Sequence, residues 1–437
     1  MRIPGQAPAA PSRRRRLLTI LTFALATASS GLAGVSGGQP DSTALRQLYD
    51  QRQFFALRDA LAQIPDLATA QPEIRFFQAA SQQAFNQPAA SNDTVETLLA
   101  DLDLEIDLIA KLRTLQLTNY LRLHRYREGL ATAKAILTAI GDDPHSPAVV
   151  EARSKAPLFL ALADVPPQTV EIRGASRLAL GKTRRVPLKI DGQKRAFALD
   201  TGANLSVIMR SEAAALGLEI RPTHLVISTS TARQVTGDLA VARDVEIGRI
   251  RYSHVVFLVL PDELLTFAKG QRIPGLIGFP LVDAMGEVRL RRDHVLEIPK
   301  EVPRRSPQNL ALDDLDPLVQ VRYGRDVLLC RLDTGAADTV FYEPFFRLYG
   351  ERIESVGRRV TAKATGVGGM QEIDAFRLPT MALTIADAGI NLRRVEVYTE
   401  SIRRPEENIL HCNVGRDALE KFAAYTLNLR HMALILE

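Results

Sequence analysis

Apolar residues change their spacing partway along this chain. In the first part they recur every three or four positions, as in Leu45, Leu48, Phe54, Phe55, Leu57 and Leu61, then in Ile74, Phe76, Phe77 and Phe85. That is the period of amphipathic helices. Pro65, Pro72 and Pro88 separate the pieces. A longer periodic run, Leu108 to Ile140, breaks near His124–Arg127 and predicts a helical hairpin. From about Pro166 apolar and polar residues alternate in short stretches between turn signals, which is the pattern of strands. Arg185–Ile190 and Lys194–Leu199 flank Asp191-Gly192, and Leu318–Tyr323 and Val327–Leu332 flank Gly324-Arg325. Each set reads as a β-hairpin. The stretch Pro299–Pro317, with Pro303, Pro307 and Asp313-Asp314, reads as a linker between two β halves.

The pattern predicts an α+β multidomain chain with a leader over 1–38, a helical domain over 39–163, and β halves over 164–300 and 301–437. The segment Tyr126–Leu137 resembles the second helix of tetratricopeptide-like repeats. No strict repeat period accompanies it, so a plain helical bundle is the other reading. Nothing catalytic stands out in the helical domain, and a protein partner is its expected use.

Composition agrees with a packed, exported protein. The 437 residues are 46% hydrophobic and 24% charged. Arg13-Arg14-Arg15-Arg16 precedes the apolar run Leu17–Leu25 and Ala-x-Ala patterns at Ala24–Ala28. This is the form of a signal peptide, so the bacterial periplasm or the exterior is expected. An uncleaved anchor over Leu17–Ala33 is the alternative; after cleavage no integral span is expected. The net charge of +5 resides in the leader, whose five arginines have no acidic counterpart. Without it, 50 basic residues face 50 acidic ones. That balance gives no reason to expect nucleic acid or anionic membrane as a partner. Two cysteines, Cys330 and Cys412, exclude a disulfide-dense scaffold and a cysteine-rich metal site. His294, His411 and His431 lack ligand spacing with acids or cysteines, so no metal is expected.

The candidate chemistry lies in two Asp-Thr-Gly triplets, Asp200-Thr201-Gly202 and Asp333-Thr334-Gly335, 133 positions apart. Each follows one of the hairpins. Asp200 lies 78 positions before Gly278 in Gly275-Leu-Ile-Gly278, and Asp333 lies 82 before Gly415 in Cys412-Asn-Val-Gly415. From each of those glycines to His294 or His431 is 16 positions, and an apolar end strand follows. Hairpin, triplet, apolar-apolar-Gly and tail in the same order argue for duplication. Two such carboxylates, brought together, would share one proton.

These motifs resemble the pepsin/retropepsin clan of aspartic peptidases, and most closely its retropepsin-like members. Asp333-Thr-Gly-Ala-Ala-Asp-Thr-Val340 is nearly the retroviral active-site string, and Asp200-Thr-Gly-Ala-Asn-Leu-Ser-Val207 fits the broader pattern. The resemblance spans about Pro166–Glu437. It implies an all-β, bilobal tandem unit acting as an aspartic endopeptidase on peptide or protein substrates, without metal or cofactor. Asp200 and Asp333 would be the catalytic pair. Thr201 and Thr334 would tie the loops together, and Gly202 and Gly335 would hold carboxylate oxygens through backbone N–H. Flaps are expected at Ser228–Asp238, including Thr236 and Gly237, and at Ala364–Glu372, including Gly366, Gly368 and Gly369; ordinary surface hairpins are the alternative. A catalytically idle peptide-binding module and a site formed between two chains stay open. The segments holding Cys330 and Cys412 run near each other in this fold. A disulfide and two buried thiols are both compatible with that.

Two features depart from the clan. Phe279-Pro280 follows the first glycine, where an acid often stands two positions on, and Cys412 occupies a common glycine position. Ala203 and Ala336 follow the triplets where pepsin-type sites often carry a hydroxyl. Without that donor a mildly acidic to near-neutral working pH is expected. A pH–activity profile checks this: an optimum below about pH 3 would contradict it, since ordinary carboxyl values lie near 4.

Overall fold

The computed structural model describes residues 41–437, except 102, 142, 229–233, 268–269 and 402–407. The expected leader over 1–38 lies outside the described residues, as does the tip of the first expected flap. Among the described residues the chain is α+β: a helical region is followed by a β-rich region.

The helices are Ser42–Asp50, Phe54–Leu61, Pro72–Ala84, Pro88–Leu99, Ile106–Arg122, Tyr126–Ile140 and Pro147–Ala161. Pro72, Pro88 and Pro147 open theirs, where a missing N–H costs nothing. The predicted break at His124–Arg127 is present, with His124 at φ 55°. The aromatic stripe is the core: Phe54, Phe55, Phe76, Phe77 and Phe85 are all buried. A Cβ on Gly129 would stand 2.3 Å from the Phe159 ring, so that glycine lets the last two helices close up. One polar residue inside is fully satisfied. Asn119 donates to Ser91 Oγ (2.9 Å) and Asn92 Oδ1 (3.0 Å), and accepts from Gln83 Nε2 (2.9 Å).

Two eight-stranded sheets follow, and each is built around one predicted hairpin. Arg185–Ile190 pairs with Gln193–Leu199 through a turn in which Asp191 and Gly192 have φ of 45° and 80°. Positive φ at both positions matches the twist of the strands. Asp316–Tyr323 pairs with Asp326–Leu332 in the same way, with Gly324 at φ 62°. In each sheet a short strand then lies parallel to the second arm. Gly275–Ile277 sets Leu276 beside Ala198, and Cys412–Val414 sets Asn413 beside Arg331.

A third, five-stranded sheet joins the two β segments. Glu287–Arg291 pairs antiparallel with Ala424–Asn428 and is flanked by Val295–Ile298, Ser176–Ala179 and Ala433–Leu436. The tails that match by count thus meet side by side. Buried Glu287 is held there by Arg305 Nε and Nη2, both at 3.0 Å, and by Asn428 Nδ2 at 2.7 Å.

One expectation needs correction, and two further details bear on the others. The linker is shorter than Pro299–Pro317, because Leu310–Asp313 forms a strand and Pro317 pairs with Leu312. Asp314-Leu315 is the turn between those strands, with Asp313 paired to Asp316, so a polar pair that reads as linker sits in a hairpin instead. Gly237 is not at a hairpin tip: a Cβ there would stand 2.8 Å from Leu258, so its lack of a side chain admits the neighbouring strand. Thr236 likewise sits in the paired arm, opposite Val226. The helical region also shares one compact unit, Pro40–Glu437, with the β segments. Asn86 Nδ2 donates to Asp283 Oδ1 (2.7 Å) and Leu429 O (2.9 Å), and Arg221 pairs with Asp164 at 2.5 Å. No helix among the described residues is long and apolar enough to cross a membrane.

Cys330 and Cys412 face each other in register and form a disulfide, with both residues fully buried. It closes a span of 82 positions. A loop of that size is worth about 4 kcal/mol in chain entropy. The double variant Cys330→Ser/Cys412→Ser should lower the urea midpoint accordingly. An unchanged midpoint would show that the bond adds nothing.

Candidate active site

Each Asp begins the loop at the end of a parallel-paired strand. Asp200 N–H donates to Ile277 O and Asp333 N–H to Val414 O, both at 3.0 Å. These bonds fix where each loop leaves its sheet. The loops then lock to each other. Thr201 N–H donates to Thr334 Oγ1 at 3.0 Å, and Thr334 N–H donates to Thr201 Oγ1 at 3.1 Å. Each hydroxyl donates onward into the opposite segment, Thr201 to Leu332 O (3.2 Å) and Thr334 to Leu199 O (3.5 Å). Both threonines are buried, so these bonds form where water does not compete.

The lock brings the two carboxyls together. Gly202 N–H donates to Asp200 Oδ1 (2.9 Å), and Gly335 N–H to Asp333 Oδ1 (2.8 Å). Each glycine also faces the opposite carboxyl. A Cβ at 202 would stand 2.8 Å from Asp333 Cγ, and one at 335 would stand 2.4 Å from Asp200 Cγ. Any side chain at either position would push a carboxyl away. Removal from water, together with repulsion from Asp333, pushes the Asp200 carboxyl up to about 7, against an attraction from Arg331.

The outer turns match with one difference. Ser206 Oγ accepts from Gly278 N–H (3.1 Å), and Thr339 Oγ1 accepts from Gly415 N–H (3.0 Å). In the second segment Asp417 also accepts from Thr339 N (2.8 Å) and Oγ1 (2.6 Å). Pro280 stands at the corresponding place in the first, so the sequence departure there removes one brace and keeps the Gly278 bond.

The expected flaps are hairpins. Arg358–Gly366 pairs with Gly369–Ile385 across the Val367-Gly368 turn, and Gly368 and Gly369 have φ of 101° and 106°. Its tip residue Val367 packs against an extended apolar cluster that includes Leu225, Leu239 and Leu258, and Ile227 and Val235 of the first hairpin pack against the same cluster.

Two polar residues beside the pair escaped the sequence reading. Arg331 Nη2 donates to Gly202 O at 2.6 Å and pairs with Asp316 at 2.6 Å. Asn413 Nδ2 donates to Asp333 Oδ2 at 3.3 Å. Each had a signal, being a polar residue inside an otherwise apolar run. Among the described residues no group of three His, Cys, Asp or Glu could hold a metal ion.

A model described as Aspartyl protease matches residues 186–281. That span runs from the first hairpin through Asp200 to just past Gly278. It supports aspartic protease activity in general, although it covers a minority of the chain. No curated protein matches. Among solved structures, a retropepsin-like aspartic protease from Rickettsia conorii is similar at 17% identity, over 30% of this chain and 91% of that chain, with a TM-score of 0.21. A likeness at that score carries no argument.

Two outcomes follow from the geometry. Thr334→Val removes a hydroxyl that accepts and donates inside the lock and strands the Thr201 N–H. It should cost about 1–3 kcal/mol in urea unfolding, and Thr334→Ser should restore most of it. Equal stability of the two variants would refute the lock. The second outcome concerns pH. The Asp200 value is raised from 3.8 to about 7, so the native state holds a proton that the unfolded chain has released. That contribution is fully present below about pH 4 and is lost as pH rises through about 7. Asp200→Asn keeps a neutral group throughout, so its stability relative to the native chain should grow between pH 4 and pH 8. A pH-independent difference would contradict the raised value.

Proposed function

We propose that this chain is an aspartic endopeptidase whose Asp200 and Asp333 share one proton and activate a water within a single chain. The observation that carries the reading is the reciprocal Thr201–Thr334 pair of hydrogen bonds, which holds both carboxyls against each other's glycine loop. Two carboxyls so close cannot both ionise. The ionised one takes a proton from water, the protonated one donates to the scissile carbonyl oxygen, and water oxygen bonds to the carbonyl carbon. The resulting gem-diol collapses as the C–N bond breaks, with a proton delivered to the amine nitrogen.

The matched hairpins, parallel strands and shared sheet support a duplicated unit with one Asp from each half. The hairpins at 220–247 and 358–385 are the proposed walls of the substrate groove, with Gly366, Gly368 and Gly369 at the movable tip. The helical region is proposed as a platform for a protein partner, and the basic-apolar leader supports export. A site closed by bonds within one chain favours this reading over one assembled between chains.

Asp200→Asn and Asp333→Asn, each alone, test the reading on a peptide-library cleavage assay. Each should lower kcat/KM by at least about a thousandfold, in the range lost with an acid–base group. Full activity in either variant would reject the pair.

A further inference from the structure

The two carboxyls have matching locks and unlike neighbours. On a strand, residues two apart point to the same face. Asp333 directly follows the strand Asp326–Leu332, so Arg331 lies on the face that leads to it, while Cys330 and Leu332 point into the core. The parallel register sets Asn413 beside Arg331 on that same polar face. At the equivalent positions of the first segment stand Ala198 and Leu276, which are also paired in register. One half thus has Arg and Asn at these positions, of which Asn413 bonds to its carboxyl, and the other has Ala and Leu.

The donors divide accordingly. Asp333 accepts from Gly335 N–H (2.8 Å), Ala336 N–H (3.0 Å) and Asn413 Nδ2 (3.3 Å). The Asp200 carboxylate accepts from Gly202 N–H at 2.9 Å. Bonds to the charged form of a carboxylate favour ionisation there. The guanidinium of Arg331, held by Asp316, bonds to Gly202 O of the Asp200 loop and interacts with both carboxyls.

We propose that Asn413 is a positioning residue that keeps Asp333 ionised and leaves the shared proton on Asp200. This rests on the reading of the two aspartates as one catalytic pair. It assigns their roles. Asp333 takes the proton from water, and Asp200 donates its proton to the scissile carbonyl oxygen. On collapse, Asp333 gives its proton to the amine nitrogen and Asp200 regains one from the gem-diol, which restores the starting state. The charged groups acting on Asp200 are Asp333 and Arg331, and those acting on Arg331 are Asp316, Asp333 and Asp200, with Tyr342 as a further titratable neighbour. Arg416 reaches the same loop through Thr334 O at 3.4 Å. Among these, the Asn413 amide is neutral and touches only one of the two carboxyls. Its loss destabilises the singly ionised pair relative to the doubly protonated one. It changes little between the singly and doubly ionised states, since Asp333 is charged in both.

Asn413→Leu installs the residue of the other half and tests this with the full chain. The readout is kcat/KM against pH on a fluorogenic peptide that the native chain cleaves. The acid limb should move up by about one pH unit, as expected for one lost bond to a charged group. The alkaline limb should stay in place. An unmoved acid limb, or a shift confined to the alkaline limb, would overturn the assignment. Should Asn413→Leu fail to fold by thermal melting, the near-isosteric Asn413→Asp replaces the donor with a third carboxyl. It should raise both limbs, and unmoved limbs there would equally overturn it. Asp200→Asn in the same assay separates the two layers. If that variant cleaves normally, the catalytic pair itself is wrong. If it is inactive while the Asn413 variants titrate like the native chain, only the positioning role falls.

Discussion

Two threonine side chains reaching across the boundary between the β segments hold the site together. Two partly buried carboxyls repel when both are charged, and nothing covalent joins their loops. Left to itself such a pair would spread apart. The Thr201 and Thr334 hydroxyls prevent this because each accepts from the other loop and donates deeper into it. The shared five-stranded sheet brings the tails of both segments together, which limits how far the segments can slide. Gly202 and Gly335 then leave room for the opposite carboxyl. Lock, sheet and glycines form one constraint, and each would be pointless without the others.

Symmetry in that frame makes the asymmetry around it informative. The second segment braces its turn with Asp417, staples its central strands with the Cys330–Cys412 bond and places Arg331 and Asn413 on the polar face. The first segment has Pro280, Phe197 and Ala198, and Leu276 in the corresponding region. The disulfide lies one register step from the Arg331–Asn413 pair and two from Leu332–Val414. It therefore stiffens the strands that carry the polar groups and not those that carry Asp200. A matched frame with one reinforced segment supports the proposed chemistry, in which the two carboxyls do different jobs.

Much of this was legible in the sequence where local rules decide. Asp191-Gly192 and the alternating arms around it specify a hairpin without help from the rest of the chain. Breaks at Pro72 and Pro88 could be read, and the missing N–H makes each a helix start. The triplets and their downstream glycines could be counted. What was not legible depends on register and on packing at a distance. Cysteines three positions before Asp333 and Gly415 pair only because the parallel strands align Cys330 with Cys412. Asp313-Asp314 reads as linker until Leu310–Asp313 finds Asp316–Tyr323. Gly237 reads as part of a flap, and its close approach to Leu258 comes from packing across the strands. Arg331 was hidden by apolar neighbours, although a charged residue in such a run is itself a signal.

Mixing two dead chains tests most directly whether one chain supplies a whole site. Purified Asp200→Asn and Asp333→Asn chains would be unfolded together, refolded and assayed for peptide cleavage. A site closed inside each chain predicts that the mixture stays as inactive as either variant. Recovered cleavage would mean that Asp333 of one chain had met Asp200 of another, and would contradict the intrachain lock.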